Sequence, residues 1–422
     1  MFLNKINLDG QVAYLKPKSQ KWEPLSEKSF LLLNEPDIEK QTRQLLKDEI
    51  ESLAYSKQYL NDVLLKSLLL PNINFFAGSG TSLLEVNGPS MWDLWCKSMW
   101  VEPESKQEDA NFKVIGKDAQ EIMKKVCYVE EENPNIEHFL SQCDAYLLFN
   151  CDNSVEAFLN KVKSIILHEC STFLDTPKSD ISSYENLLQK LARRRVRDPR
   201  LKVFTTNYDM CFETAASNLG MMVIDGFSYT RRRRFDGNYF NYDVVRRESD
   251  SHEFIEGVVQ LYKLHGSVSW ERENGDIIES GSPEPERAVL IYPAKGKYQQ
   301  AFIQPHLELL SRFLESLRRP NTCLIVAGFG FNDDHLSEPI LSAIKSNPSL
   351  KIIIADYKAA SHIDSPTDFT SPYWAQFKTL ALQGYDIHFI NGSFSDFVGM
   401  IPHLKALSPA EQLAKAVKQA GK

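Results

Sequence analysis

Apolar residues recur along the chain in two spacings, which predict strands that alternate with helices. Short continuous apolar runs, of the length of a buried strand, occur at 72–77, 201–205, 221–224, 258–264, 322–327, 351–355 and 385–390. Apolar residues three and four positions apart predict helices at 35–66, 303–319 and 335–345. Strands that alternate with helices are typical of a parallel sheet covered by helices, so we predict an α/β, Rossmann-like fold.

Between about residues 105 and 198 the pattern indicates helices alone. One stripe at helical spacing comprises Val155, Phe158, Leu159, Val162, Ile165 and Ile166. Ser182 and Glu185 have the spacing of a capping box, which predicts a helix start there. We therefore expect a helical insertion at 105–198 within a Rossmann-like domain of residues 66–402. An N-terminal extension (1–65) precedes this domain, and a C-terminal tail helix (403–422) follows it.

Composition and charge exclude several classes of protein. The 48 basic and 56 acidic residues give a net charge of −8, which argues against a strongly basic nucleic-acid binder. No apolar run reaches the roughly 18–20 residues that a membrane helix needs, and the first residues do not resemble a secretory signal. The seven cysteines contain no C-x-x-C pair, so we expect reduced thiols, no zinc site, no other metal, and a cytoplasmic location.

Three polar motifs follow predicted strands, where the ligands of open α/β sheets bind. The first is Gly78-Ser79-Gly80-Thr81-Ser82, followed by Gly88-Pro89. Glycines let the backbone approach a phosphate group, and the amides of a following helix start can bind it. A tight turn between a strand and a helix explains this motif equally well.

The second motif is Thr205-Thr206-Asn207-Tyr208-Asp209, and the third is Lys263-Leu264-His265-Gly266-Ser267. Asn207 offers an amide donor and acceptor and Asp209 offers a carboxylate, whereas His265 is suited to act as a base near neutral pH. Taken singly, Asn207 and Asp209 are as well explained by a turn or a helix cap, and His265 by a structural role.

The order of these motifs resembles the sirtuin superfamily, especially the bacterial sirtuin-like proteins of antiviral defence that consume NAD. A fourth match, Gly328-Phe329-Gly330-Phe331-Asn332-Asp333-Asp334-His335, resembles a later glycine loop of that branch, which ends in D-x-H. The resemblance covers about residues 70–400 and depends on these four short motifs. Ser79 stands where the family usually has alanine.

The resemblance implies a site for NAD, which would be a substrate. Asn207 and His265 match the catalytic asparagine and histidine, and Asp209 matches the carboxylate partner of the asparagine. The predicted NAD-binding residues are Gly78, Ser79, Gly80, Thr81, Ser82, Thr206, Asp209, Gly328, Phe329, Asp333, His335 and Asp356. Of these, Gly328, Phe329, Asp333 and His335 would line the adenosine side, and Asp356 would reach a ribose hydroxyl group.

The resemblance also implies a reaction. Sirtuins that deacylate proteins carry a four-cysteine zinc module, which this chain lacks, so hydrolysis of NAD or cyclisation of its ADP-ribose part is favoured over deacylation. We expect an NAD glycohydrolase that acts as an antiphage effector by depleting NAD. The relatives of this size imply control by homo-oligomerisation or by a HerA-type ring ATPase, through which nucleic acid could also bind. No membrane partner is expected.

Other functions remain open at the level of sequence. A non-catalytic sensor of NAD or ADP-ribose would bind its ligand without turnover. The runs Arg193–Arg195 and Arg231–Arg234 could contact nucleic acid, although a solvated loop and a helix C-terminus explain them more simply. The last alternative is a dehydrogenase, which would transfer a hydride and leave the nicotinamide group of the cofactor attached through turnover.

Overall fold

The computed structural model describes residues 12–25, 40–101, 114–129, 134–195, 198–248, 251–291 and 303–405. The predicted tail helix lies almost wholly outside these ranges. The strands are β1 (Ala13–Leu15), β2 (Glu23–Pro24), β3 (Asn72–Ala77), β4 (Trp100–Val101), β5 (Val114–Ile115), β6 (Leu201–Thr205), β7 (Met222–Ile224), β8 (Val245–Glu248), β9 (Ser251–Phe254), β10 (Val258–Lys263), β11 (Gly266–Glu273), β12 (Asp276–Glu279), β13 (Ala288–Leu290), β14 (Thr322–Ala327), β15 (Lys351–Asp356) and β16 (Ile387–Asn391).

The main sheet has the strand order β2-β1-β16-β15-β14-β3-β6-β10-β7 within the described ranges. The seven strands from β16 to β7 are parallel, and they are the seven apolar runs predicted from the sequence. From β3 the chain passes to β6 on one side of the sheet, and later returns to β14 on the other side of β3. The strand order therefore reverses at the β3–β14 pair, which is where open α/β sheets form a ligand crevice.

Helices cover both faces of this sheet, which confirms the predicted α/β class. They are α1 (Lys40–Leu68), α2 (Gly80–Leu83), α3 (Met91–Met99), α4 (Lys117–Lys125), α5 (Ile136–Leu147), α6 (Asn153–Thr172), α7 (Ser182–Leu191), α8 (Cys211–Asn218), α9 (His306–Arg318), α10 (Asp334–Ser346), α11 (Ala359–Asp364), α12 (Tyr373–Gln383) and α13 (Phe394–Met400). In β3, Phe75 packs into the core on one face and Phe76 into the core on the other, because side chains of a strand alternate.

The helices α3 to α6 enclose a third apolar core, apart from the two faces of the sheet. Val155, Phe158, Leu159, Val162 and Ile166 of α6 lie in this core, as the stripe predicts, whereas Ile165 is only half-buried. Helix α7 instead packs on the sheet through Tyr184 and Leu188.

The predicted capping box at α7 is wrong. The helix does begin at Ser182, so the residue in the N-cap position is Ile181, which makes no side-chain capping bond. The Asp180 carboxylate accepts the hydrogen bond from the Ser182 amide, and the Glu185 carboxylate accepts one from the Asn218 side chain. A carboxylate two residues before the helix thus replaces the expected hydroxyl cap.

Several strands have no strong signal in the sequence. The first residues of the chain add β1 and β2 to the edge of the sheet, with β1 antiparallel to β16. The Tyr14 hydroxyl group of β1 donates a hydrogen bond of 2.7 Å to His388 Nδ1 of β16, and both side chains are buried. After His265, the strands β11, β12 and β13 form a separate antiparallel sheet. The strands β1, β2, β12 and β13 have only two to four residues, which is too short for a period to be recognised.

Candidate active site

Two glycine turns touch each other where the strand order reverses. The turn at Gly78-Ser79-Gly80 follows β3, and the turn at Gly328 follows β14. The Gly80 amide donates a hydrogen bond of 2.9 Å to the Gly328 carbonyl oxygen. A methyl group on Gly80 would lie 2.8 Å from the Gly328 Cα atom, and one on Gly328, whose φ is +59°, would lie 2.6 Å from the Thr81 nitrogen. Glycine is therefore needed for the two backbones to meet.

The first turn presents hydroxyl groups, more than amides, to the space beside it. Helix α2 has four residues. The amides of Gly78, Gly80, Thr81 and Ser82 donate to the carbonyl oxygens of Ala327, Gly328, Gly78 and Ser79. The side chains of Ser79 and Ser82 line the adjoining cavity. In this conformation a bound pyrophosphate would therefore meet these two hydroxyl groups rather than the four amides.

The cavity has a volume of about 390 Å³ and brings together most of the predicted site residues. Its lining includes Ser79, Ser82, Thr206, Asn207, Asp209, His265, Phe329 and Asp333. Gly78, Gly80, Thr81 and Gly328 are not in this lining, and their backbones form the two turns that carry Ser79 and Phe329. Four motifs that are far apart in the sequence thus meet at one place.

The cavity carries carboxylates and, among the described residues of its lining, no lysine or arginine. Asp209 belongs to the motif after β6, Asp333 to the glycine loop after β14, and Glu137 to the start of α5. An environment of this charge favours a cationic group and disfavours additional phosphate groups. Cys170 also lines the cavity, but burial raises the pKa of its thiol to about 12, so it is not a thiolate nucleophile at neutral pH.

Asn207 is buried, and its side-chain amide donates to two hydroxyl groups of the first turn. The Asn207 Nδ2 atom lies 3.2 Å from Thr81 Oγ1 and 3.3 Å from Ser82 Oγ. The Asn207 backbone amide donates to Thr205 Oγ1 at 3.0 Å. Because these bonds join the end of β6 to the turn after β3, the position of Asn207 depends on both strands.

His265 is 3% exposed and its ring pairs with that of His335. The two Nε2 atoms lie 3.1 Å apart, so one ring donates the single hydrogen atom that fits between them. His335 is in the first turn of α10 and does not line the cavity, so the structure places it behind His265. Its predicted contact with adenosine stays a prediction without support from this geometry.

The chain around His265 is held in place on both sides. A methyl group on Gly266, whose φ is +87°, would lie 2.0 Å from the Val289 carbonyl oxygen, so β13 can pass only because residue 266 is glycine. The His306 Nδ1 group donates a hydrogen bond of 3.0 Å to the Leu264 carbonyl oxygen. Burial lowers the pKa of His306 to about 4, so this imidazole is neutral at physiological pH.

Lys263 is a structural residue of the site that the sequence did not single out. Its ammonium group is buried and donates to the Asp209 carbonyl oxygen, to Glu213 Oε1 at 2.8 Å and to Ser267 Oγ at 2.9 Å. Burial raises the pKa of Glu213, and the neighbouring Lys263 opposes that effect. The lysine therefore fastens the loop that carries Asn207 to the strand that precedes His265.

Helix α3, which precedes the predicted insertion, and helix α5 within it supply one wall of the cavity, and the motifs do not indicate this wall. Met91 and Trp92 of α3 and Ile136 of α5 are in the lining. Trp95 is buried, but Trp92 is 48% exposed. The helical spacing of the buried positions along α3 is the sequence signal that distinguishes Trp95 from Trp92.

Asp356 lies at the end of β15, one strand away from the cavity lining. Its Oδ1 atom accepts a hydrogen bond of 2.8 Å from the Lys358 amide and lies 3.8 Å from His362 Nε2. A second cavity of about 530 Å³ is lined by the residues that follow, among them Lys358, Ser361 and His362. Asp356 is thus at the carboxyl edge of the sheet, as predicted, but not beside Asn207 and His265.

The arginine runs are largely occupied by contacts within the protein. Arg232 pairs with Glu273, Arg233 with Asp225 at 2.7 Å and with Glu279, and Arg234 with Asp276 at 3.0 Å. Arg194 is buried and donates to the Leu70 carbonyl oxygen at 2.6 Å. The run Arg193–Arg195 follows the C-terminus of α7, with Arg194 buried rather than in solvent. The pairing of Arg232 to Arg234 with carboxylates weakens the case for a nucleic-acid surface.

Across the described ranges, no helix is both long and apolar enough to cross a membrane. Among the same residues, no three His, Cys, Asp or Glu side chains come together as ligands of a metal ion would.

Comparison with known families supports the sequence resemblance. Residues 201–390 match the profile of the SIR2-like domain. The match covers less than half of the chain. It spans β6 to β16 and includes Asn207, His265 and the loop at Gly328, whereas the glycine turn after β3 lies before the match. A search of curated protein sequences gave no match.

Solved structures of Sir2 proteins show a remote likeness. One described as "Structural Basis for the Mechanism and Regulation of Sir2 Enzymes" has a TM-score of 0.39 and 12% identity, over 81% of this chain and 94% of that one. A mutant Sir2 homologue in complex with 2′-O-acetyl ADP-ribose has a TM-score of 0.39 and 11% identity, over 81% of this chain and 94% of that one. A structure described as "The Structural basis of Sirtuin Substrate Affinity" has a TM-score of 0.37 and 12% identity, over 82% of this chain and 97% of that one.

Proposed function

We propose that this protein is an NAD glycohydrolase that cleaves NAD to nicotinamide and ADP-ribose, in linear or cyclic form. The observation that carries the proposal is the meeting of Asn207, Asp209 and His265 in one acidic cavity at the switch point of the sheet. The cavity holds the nicotinamide riboside half of NAD. In this proposal the adenosine half extends toward Asp356, beside which the second cavity lies.

The charge of the cavity suits this reaction. The nicotinamide ring of NAD is cationic, and when the bond between its nitrogen and C1′ of the ribose breaks, the electron pair goes to that nitrogen. Positive charge then develops on the ribose, as in glycoside hydrolysis. Carboxylates such as Asp209, with no lysine or arginine in the described lining, favour both the cationic ring and this transition state.

In the hydrolytic step, water attacks C1′ and its proton passes to His265. The neutral nicotinamide leaves without a general acid. Asn207 orients the ribose and the water, which lowers the entropic part of the barrier. In cyclisation, a nitrogen atom of the adenine ring would replace water as the nucleophile.

The test is analysis of the products formed from NAD by the full chain, by chromatography and mass spectrometry. We expect nicotinamide release to fall about a hundredfold or more in Asn207→Ala and in His265→Ala. Asn74→Ala and His388→Ala remove a buried amide and a buried imidazole outside the cavity, so they should retain most of the rate per folded molecule. Unchanged release in the first pair would contradict the assignment, and tight binding of intact NAD without turnover would indicate a sensor.

We also propose that this activity is switched on only in an antiphage response in the cytoplasm, because unrestrained cleavage would drain the cell of NAD. The resemblance points to control by self-assembly or by a HerA-type ATPase. Light scattering coupled to size-exclusion chromatography, with activity measured with and without such an ATPase, tests this point. A monomer whose activity does not respond to the ATPase would contradict it.

A further inference from the structure

The side-chain amide of Asn207 has one orientation that its surroundings allow. The Thr81 hydroxyl group donates its hydrogen atom to the Gly78 carbonyl oxygen at 2.8 Å. The Ser82 hydroxyl group donates its own to the Ser79 carbonyl oxygen at 3.3 Å. A hydroxyl group has one hydrogen atom, so toward Asn207 both can only accept.

The amide nitrogen of Asn207 therefore faces these two hydroxyl groups, and both of its hydrogen atoms are used. The remaining polar atom of the side chain is the carbonyl oxygen, Oδ1. Because Asn207 lines the cavity, Oδ1 is the atom that it offers to a ligand. It can accept a hydrogen bond from a hydroxyl group or from water, but it cannot donate one.

Tyr184 completes this arrangement from outside the cavity. Its hydroxyl group donates a hydrogen bond of 2.8 Å to Thr81 Oγ1, so Thr81 accepts from both Tyr184 and Asn207. Tyr184 is fully buried on α7, where its ring lies 4.8 Å from that of Phe212 and 5.1 Å from that of Phe394. Burial raises the pKa of Tyr184 well above its usual value, so the hydroxyl group keeps its proton and stays a donor.

We propose that Tyr184 is a positioning residue which, through the Thr81 hydroxyl group, keeps Asn207 Oδ1 turned toward the cavity, where it accepts a hydrogen bond from the ribose or from the attacking water. This inference rests on the proposed function, since that function supplies the ligand. It adds a residue from the segment before β6, which lies outside the SIR2-like match. Without the Tyr184 hydroxyl group, Thr81 Oγ1 loses one of the three hydrogen bonds that hold it, so the Asn207 amide that donates to Thr81 is less firmly positioned.

The test compares Tyr184→Phe with Tyr14→Phe, a matched loss of a buried hydroxyl group at the far edge strand. Two quantities are measured in the full chain: the rate of nicotinamide release from NAD, and the affinity for ADP-ribose by calorimetry. We expect Tyr184→Phe to lower both about tenfold, as for the loss of one partner in a buried network, and Tyr14→Phe to leave both near wild type. Thr81→Ser, which keeps a hydroxyl group, should retain more activity than Thr81→Val.

A second arm separates positioning from a loss of stability. In an Asn207→Ala background, the further change Tyr184→Phe should alter neither quantity, because its effect passes through Asn207. Equal effects of Tyr184→Phe and Tyr14→Phe, or a Tyr184→Phe effect that persists in that background, would overturn the inference. If the wild type binds ADP-ribose but never releases nicotinamide, the proposed function fails while the affinities still decide the role of Tyr184. If it does neither, both proposals fail.

Discussion

At the scale of the residue, the side chains named from the sequence depend on partners that the sequence does not indicate. Asn207 has its amide fixed by Thr81 and Ser82, and His265 has its Nε2 atom opposite that of His335. A histidine pair at this distance shares a hydrogen atom, so a change in one ring alters the donor or acceptor role of the other. The chemistry proposed for His265 is therefore a property of the pair.

The pair leads to a prediction for His335. Replacing it with phenylalanine keeps an aromatic ring beside His265 but removes the nitrogen atom that meets Nε2. We expect His335→Phe to lower the turnover of NAD about tenfold with little change in KM, because the proton acceptor is disturbed rather than the binding surface. His335→Gln, which can restore one hydrogen bond, should lose less. Steady-state kinetics checks this, and a fully active His335→Phe would refute it.

At the scale of the element, the glycine turns show how one position can serve both fold and site. The sequence indicates glycines suited to a close approach to phosphate. In the structure, Gly78 and Gly80 approach the backbone at Gly328, and the contact joins the turn after β3 to the turn after β14. These residues hold the crevice in shape whether or not a ligand is bound.

Alanine at this contact should be far more costly than alanine at a comparable turn. Gly328 and Gly220 have similar φ angles of +59° and +63°, but nothing lies within 4 Å of a methyl group on Gly220. We expect Gly220→Ala to cost about 1 kcal/mol of the free energy of unfolding, from the backbone angle alone. Gly328→Ala should cost about 3 kcal/mol and abolish NAD cleavage, because the clash adds to it.

Urea unfolding of the two variants measures the difference, and Gly220→Ala is the control that must remain active. Equal costs in the two variants would show that the turns can separate without strain.

At the scale of the whole molecule, distant parts of the chain complete one sheet and one cavity. The N-terminal residues, predicted as an extension, contribute β1 and β2 to the sheet edge. Tyr14 and Leu15 are buried in the cores on its two faces. Helices α3 and α5 close one side of the cavity. The domain boundaries at 66 and 402 stay predictions, but the sheet itself begins at β1.

Removal of residues 1–25 should therefore destabilise the entire chain. It uncovers the edge of β16 and removes the buried side chains of Tyr14 and Leu15, each worth about 1.5–3 kcal/mol of burial. We expect the midpoint of thermal unfolding to fall by at least about 5 °C. Differential scanning calorimetry measures the shift, and a chain without residues 1–11, which keeps β1, is the control. An unchanged midpoint in the chain without residues 1–25 would show that β1 is dispensable.

The parallel strands were predictable from the sequence because buried strands of five or six residues, such as β14 and β15, leave continuous apolar runs. That the motif residues lie close together was predictable, because strand ends of a parallel sheet converge on one edge. Tertiary structure alone decided the contacts of Lys263 with Asp209, of Tyr184 with Thr81 and of His335 with His265, since these partners lie far apart in sequence. It also decided which arginines are paired and which wall of the cavity helices α3 and α5 form. A local pattern records which face of an element is buried, whereas the side chain that meets it across the fold depends on how the elements pack.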